Sequence, residues 1–154
     1  PFKQVSMKNI IRLIHKEYRN IDSYNEIKSY EEIKKELAAG TFQLQTPKKW
    51  FDALEEQGVM FLNTSFTCEP GKPNSHKSIW TQFSSNVLKY ISKKNPEIIW
   101  FLWGNEAISN KAFIEQGIFY ESRHPMMCSA KYENDFLKFD GFRKTMSMIN
   151  WLGI

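Results

Sequence analysis

Gly58-Val59-Met60-Phe61-Leu62-Asn63 is the stretch on which the reading of this chain turns. A turn glycine is followed by four apolar residues of strand composition, and the run stops on an amide. In α/β sheets, ligands bind at the carboxyl ends of strands, so this pattern puts Asn63 where a ligand is read. Its side chain offers one acceptor and two donors, which can pair with the Watson–Crick edge of a single base. After ten intervening residues comes Asn74-Ser75-His76. A second apolar run, Ile98-Ile99-Trp100-Phe101-Leu102-Trp103-Gly104, predicts another buried strand, and about twenty residues on stands Arg123-His124-Pro125. Taken singly, Asn63 fits a turn, His76 a cap and His124 a loop. Their order, each after a strand or in a loop, predicts a pocket with a rim.

The bulk numbers bound the answer. The chain, residues 1–154, is long enough for one domain that buries roughly two-thirds of its unfolded surface. Apolar residues make up 42% and aromatics 15%, which excludes a disordered chain. A net charge of +4 is compatible with nucleic acid without requiring it. Cys68 and Cys128 lie sixty residues apart without metal-ligand spacing, and read as reduced thiols of a cytoplasmic protein. The longest strongly apolar stretch spans about seven residues, against ~20 for a membrane helix. No basic-then-apolar leader opens the chain, so no secretion signal is expected. Pro1 is what a natural start would leave once methionine is removed. The expectation is a monomer without membrane association.

Working outward, Ser6 reads as an N-cap before a helical period of Met7, Ile10, Ile11, Leu13, Ile14 and Tyr18. A polar turn, Asn20 to Asn25, precedes a charged helix striped by Ile27, Tyr30, Ile33 and Leu37 and ended by Ala39-Gly40. Thr46-Pro47 opens a third helix with Trp50, Phe51 and Leu54 inward, and Gln57-Gly58 delivers it to the strand Val59 to Leu62. Thr67 to Lys77 reads as a loop. A helix carrying Trp80, Phe83, Val87, Tyr90 and Ile91 ends at Asn95-Pro96. Ala107 to Gln116 reads as a short helix and Ile118 to Tyr120 as a third strand. The chain from about Asn134 reads as helical, broken near Asp140-Gly141. Strands separated by helices imply right-handed crossovers. The expected class is α/β, a three-layer α/β/α fold with a short, mostly parallel central sheet. Three strands are few for such a sheet, so at least one more is expected.

In this order the motifs resemble the uracil-DNA glycosylase superfamily, and within it the main uracil-excising family. Ser6-Met7-Lys8-Asn9-Ile10 resembles the start of an early family helix. Gln57 to Asn63 resembles the strand that ends on the base-reading Asn. Asn74-Ser75-His76 is similar to the phosphate-binding Ser-His loop, and Trp80, Phe83 and Val87 continue that likeness. Leu102-Trp103-Gly104-Asn105 resembles Leu-Trp-Gly-Ser, His124 to Ser129 resembles His-Pro-Ser-Pro-Leu-Ser, and Ile149-Asn150-Trp151 resembles Ile-Asp-Trp. The family's first motif, Gly-Gln-Asp-Pro-Tyr-His, is absent, as is the stacking Phe beyond it. With it go the water-orienting Asp, the Tyr that excludes thymine and the expected first strand, as though the domain were truncated at its N-terminus. Met126 and Met127 replace a phosphate-contacting Ser and a Pro, Cys128 stands where the family has an apolar wedge Leu, and Asn105 replaces another phosphate-contacting Ser.

The resemblance implies hydrolysis of the N-glycosidic bond of a flipped-out uracil in single- or double-stranded DNA, as in base excision repair. Asn63 would read the uracil edge and reject cytosine, whose donor–acceptor pattern is opposite. His124, as a neutral imidazole, would donate to a uracil carbonyl oxygen as negative charge builds on the ring. Ser75, His76, Asn105 and Ser129 would grip or shape contacts to DNA phosphates. No metal or organic cofactor is implied. Glu69 is the one acid near Asn63 that could stand in for the missing carboxylate, and as a loop residue it reads better as a solvated side chain. Three readings stay open: a glycosylase whose first segment lies outside this sequence, a catalytically impaired DNA- or protein-binding module on the same fold, and a divergent member acting on another base or on no nucleic acid.

Overall fold

The computed structural model describes residues 2–154, so the expectation about Pro1 lies outside the described residues. Helix α1 (Val5–Tyr18) turns Ile10, Ile11, Leu13 and Ile14 into the core. It begins one residue before Ser6, with Gln4 at the N-cap and no side-chain cap, so the expected Ser6 cap is not formed. A 3₁₀ turn (Tyr24–Glu26) leads to α2 (Tyr30–Ala39). There Ser29 and Glu32 form a reciprocal capping box, and Gly40 closes the helix at φ 71°. Helix α3 (Pro47–Glu56) has Pro in its first turn and buries Trp50 and Leu54. Phe51, expected inward, is exposed, because it stands one position off the Trp50–Leu54 stripe. Helix α4 (Lys77–Lys94) is the longest element described.

The sheet is small. Strand β1 (Ile99–Trp103) pairs in parallel with β2 (Ile118–Ser122), Trp100 opposite Phe119 and Phe101 opposite Tyr120. Between them lie α5 (Asn105–Ser109) and a 3₁₀ turn (Asn110–Phe113), shorter than the single helix expected there. After β2 the chain makes a 3₁₀ turn (Phe136–Lys138) and a short α6 (Gly141–Thr145), where a longer helix was expected. The buried Asp135 caps that turn by accepting from Leu137 N–H at 3.0 Å.

Alternation along β1 makes the layers. Phe101 and Trp103 face a large core built from α1, α2, α3 and the C-terminal turns, centred on Trp50, Phe136, Phe142 and Trp151. Trp100 and Leu102 face a smaller cluster with Leu88 of α4 and Ile114. This is an α/β fold with a short parallel sheet between two helical layers. Among the described residues, no helix is long and apolar enough to cross a membrane.

The expected strand Val59 to Leu62 is not part of the sheet. The segment is neither helix nor strand and pairs with no other strand among the described residues. Its alternation is nevertheless that of a strand: Val59 packs on the large core, Phe61 stacks edge-on to Phe51 at 5.1 Å, and Leu62 packs on the small cluster. A strand is defined by its neighbour's hydrogen bonds, and among the described residues none reach Met60 to Leu62.

Candidate functional site

The carboxyl ends of β1 and β2 meet. Gly104 N–H donates to Ser122 O at 2.8 Å, which aligns the first residue after β1 with the end of β2. Gly104 has φ 90° and ψ 163°, and a Cβ there would stand 2.9 Å from the His124 Cβ. Only glycine suits that backbone and that gap. The pair Gly104 and His124, quoted separately from the sequence, is therefore in contact.

His124 is exposed, and its ring has a defined partner. Met126 N–H donates to His124 Nδ1 at 3.1 Å. A ring nitrogen that accepts carries no proton, so a neutral His124 carries its proton on Nε2, free to donate outward. The loop behind it is anchored from two sides. Asn9 of α1 donates from Nδ2 to Pro125 O at 2.6 Å, and Arg12 donates to Asn9 Oδ1 at 2.9 Å. Asp135 accepts from Ser129 N–H at 2.6 Å and from Tyr24 O–H at 2.9 Å. Neither Asn9 nor Asp135 stood out as a functional position in the sequence. Asn9 lies inside the quoted Ser6–Ile10 motif, and the signal for Asp135 was an acid directly before the apolar pair Phe136-Leu137.

The Ser-His loop is held by local bonds. Ser75 Oγ accepts from Glu69 N–H at 2.7 Å. His76 Nδ1 and Thr67 Oγ1 are 2.9 Å apart, and Trp80 Nε1 donates to the same hydroxyl at 2.8 Å. Asn74 takes a left-handed φ of 64°, a conformation that Asn tolerates better than most residues. These contacts put Ser75 and His76 directly before α4, whose Lys77 and Ile79 amides donate to Asn74 O at 3.0 Å and to His76 O at 3.1 Å. Lys77 pairs with Glu106, which joins this loop to α5 beside Asn105.

Asn63 is exposed, and its amide bonds to nothing among the described residues. Its neighbour Thr64 is tied to α4 by Ser84 Oγ, which donates to the Thr64 carbonyl at 2.7 Å. Among the described residues, no hydrogen bond links Asn63 to His124. Two cavities of about 410 and 390 Å³ are lined by His15, Arg19 and Glu36 and by Phe2, Leu37 and Phe42, and neither is lined by Asn63, Ser75 or His124. Glu69, the acid nearest in sequence to Asn63, pairs with Lys72 at 2.6 Å on an exposed loop. Cys128, placed by sequence at the wedge position, is half-buried, and burial pushes its thiol up to about 11. Met126 and Met127 beside it are exposed. Among the described residues, no three His, Cys, Asp or Glu side chains gather to hold a metal ion.

No family model matches the chain. A curated protein named uracil-DNA glycosylase from Borreliella burgdorferi is 37% identical over 123 residues, covering 78% of this chain and 52% of that protein. One of the same name from Alkaliphilus oremlandii is 35% identical over 127 residues, covering 80% of this chain and 54% of its own length. A third, from Clostridium beijerinckii, is 38% identical over 105 residues, covering 66% and 44%. The chain spans about half the length of the curated relatives it matches.

Proposed function

Because this chain belongs to the uracil-DNA glycosylase superfamily, we propose that it carries the base-reading and leaving-group part of a uracil-excising site in DNA. The observation that carries this reading is the His124 ring, whose Nδ1 accepts from Met126 N–H. That bond leaves Nε2–H as the outward donor of a neutral imidazole. As the glycosidic bond breaks, its electron pair moves into the uracil ring, and a donor aimed at a ring carbonyl stabilises that charge.

Asn63 supplies the selectivity. Its amide matches the acceptor-and-donor edge of uracil and opposes that of cytosine. Ser75 retains a hydroxyl hydrogen for a phosphate oxygen, because its oxygen is the acceptor in the bond from Glu69. Asn105, just past β1, and Ser129, in the loop after His124, serve as further phosphate contacts, with His76 shaping the loop. Met127, exposed beside the half-buried Cys128, is the apolar side chain able to fill the vacated stack. The attacking water needs an oriented carboxylate, and loss of a general base costs typically 10²–10⁴-fold.

A second reading, a DNA-binding module without catalysis, is favoured by Glu69, whose carboxylate is spent on Lys72 in solvent. The experiment is uracil release from single-stranded and U:G-mismatched oligonucleotides at high protein concentration, with binding followed in parallel. Release that disappears in Asn63→Asp and in His124→Leu is the expected result. Unchanged release in either variant removes that residue from the site. Binding without release selects the second reading.

A further inference from the structure

We propose that Asn9 of α1 is a positioning residue for His124, and that it sets which ring nitrogen carries the proton by holding one peptide plane, the one between Pro125 and Met126. The inference rests on the glycosylase reading above for the use made of that proton. Its place on the ring follows from the hydrogen bonds.

Two bonds leave this plane in opposite directions. Its N–H, from Met126, donates to His124 Nδ1 at 3.1 Å. Its C=O, from Pro125, accepts from Asn9 Nδ2 at 2.6 Å. A trans peptide is planar, with N–H and C=O on opposite sides. Holding the carbonyl towards α1 therefore holds the N–H towards the imidazole. The accepting carbonyl also makes its own N–H a better donor, since linked hydrogen bonds polarise one another. Were the plane to turn over, the Pro125 carbonyl would face Nδ1 instead. Nδ1 would then carry the proton, and Nε2, left as an acceptor, could not donate outward.

Little else restrains the plane. Proline fixes φ of residue 125, but its ψ stays free, and rotation about ψ turns the plane. Met126 and Met127 are 56% and 60% exposed, so their side chains lie mostly in solvent. Met127 stands where the resembling motif has a second proline, so Met126 lacks the restriction that a following proline imposes. The hold comes from buried polar groups. Asn9 is buried, and its amide has one orientation. Arg12 Nη1 donates to Asn9 Oδ1 at 2.9 Å, and Arg12 Nε is tied to the Lys28 carbonyl at 2.9 Å. A guanidinium has only donors, so it selects the amide oxygen and leaves the NH₂ for Pro125. Asp135 fixes the far end of the loop through Ser129 N–H.

The test is the His124 tautomer, read from two-bond proton–nitrogen correlations of nitrogen-15-labelled histidine above about pH 8, where an ordinary imidazole is neutral. A spectrum of His124→Gln identifies the signal. In the unmodified chain Nδ1 should be bare and Nε2 protonated. Asn9→Asp keeps the acceptor for Arg12 but sets a carboxylate oxygen against the Pro125 carbonyl. The plane should turn over, and the Nδ1–H tautomer should become the major one by about tenfold. Ile10→Val trims the same helix without touching the loop and should leave the tautomer as it was. Unfolding transitions check that each variant folds. Should Asn9→Asp not fold, Arg12→Ala, at a part-buried position, decides. It frees the Asn9 amide to turn, and the two tautomers should mix. An unchanged tautomer in whichever of these variants folds, a bare Nε2 in the unmodified chain, or an equal change in Ile10→Val overturns the proposal. Uracil release is scored separately. In Asn9→Asp, kcat should fall with the population of the Nε2–H tautomer, about tenfold, and KM should change less. A switched tautomer with unchanged release overturns the positioning role. A switched tautomer in a chain that releases no uracil upholds the hold on the ring and sinks the glycosylase reading.

Discussion

Gly104 shows how much a single residue can set. Its φ of 90° with ψ of 163° is a region that side chains essentially do not occupy, and the space its Cβ would need is taken by His124. Gly104→Ala is expected to cost about 1–3 kcal/mol and to displace His124, so that on the proposed function uracil release falls further than the loss of folded protein explains. Denaturant unfolding alongside release kinetics checks both parts. The two thiols separate in the same way. Cys68 is exposed, whereas burial and the nearby Asp135 carboxylate push Cys128 up to about 11. The thiolate is the reactive form. At pH 8, iodoacetamide should therefore modify Cys68 quickly and Cys128 only after unfolding, as read by mass spectrometry of the two peptides.

Between elements, the most charged contact joins α1 to α2. His15 is fully buried on α1, and its Nε2 lies 3.1 Å from Glu36 Oε2 on α2. Lys28 and Arg19 hold the same carboxylate. The Lys28 bond, with those of His15 and Arg19, brings Glu36 down to about 2. Burial lowers His15 below 6.5 despite Glu36, so the ring is neutral and donates Nε2–H to the carboxylate. The unfolded chain therefore binds more protons than the folded one at both groups, and stability rises with pH. The His15 share is complete above about 6.5 and erodes below it. The Glu36 share is complete above 4.5 and is lost as pH falls towards about 2. Glu36→Gln should lower stability at pH 7 and flatten the decline below pH 4.5, which urea midpoints across that range would show. The Gln amide keeps one acceptor oxygen but no charge, so Lys28 and Arg19 lose their shared counterion.

At the scale of the whole molecule, the two cores are unequal. The large one unites α1, α3, the 3₁₀ turn and the C-terminal residues around Trp50, which is 1% exposed and donates from Nε1 to Trp151 O at 2.8 Å. The small one has three buried side chains, Leu88, Leu102 and Ile114. Regions with few buried apolar contacts open at lower free energy than the global transition. Amides of α4 should then exchange well before those of α1, and Trp50→Ala, at about 3–5 kcal/mol, should lower the stability of the whole domain. Equal exchange in α1 and α4 would mean that one cooperative unit spans both layers.

What the sequence by itself determined was local. Thr46-Pro47, Ala39-Gly40 and the apolar run at Ile98 marked element ends and a strand because capping, φ restriction and alternation act within a few residues. The order of Asn63, Ser75-His76 and His124-Pro125 carried the family resemblance for a related reason, since motif spacing is covalent. The tertiary structure decided what depends on a distant partner. Val59 to Leu62 has strand composition, yet a strand exists only when another backbone supplies its hydrogen bonds. The stripe of α4 has helical spacing, but spacing does not say whether another layer covers it. The proton of His124 follows from an amide two residues away, and its loop from Asn9 and Asp135, whose roles depend on packing between α1 and the C-terminal turns.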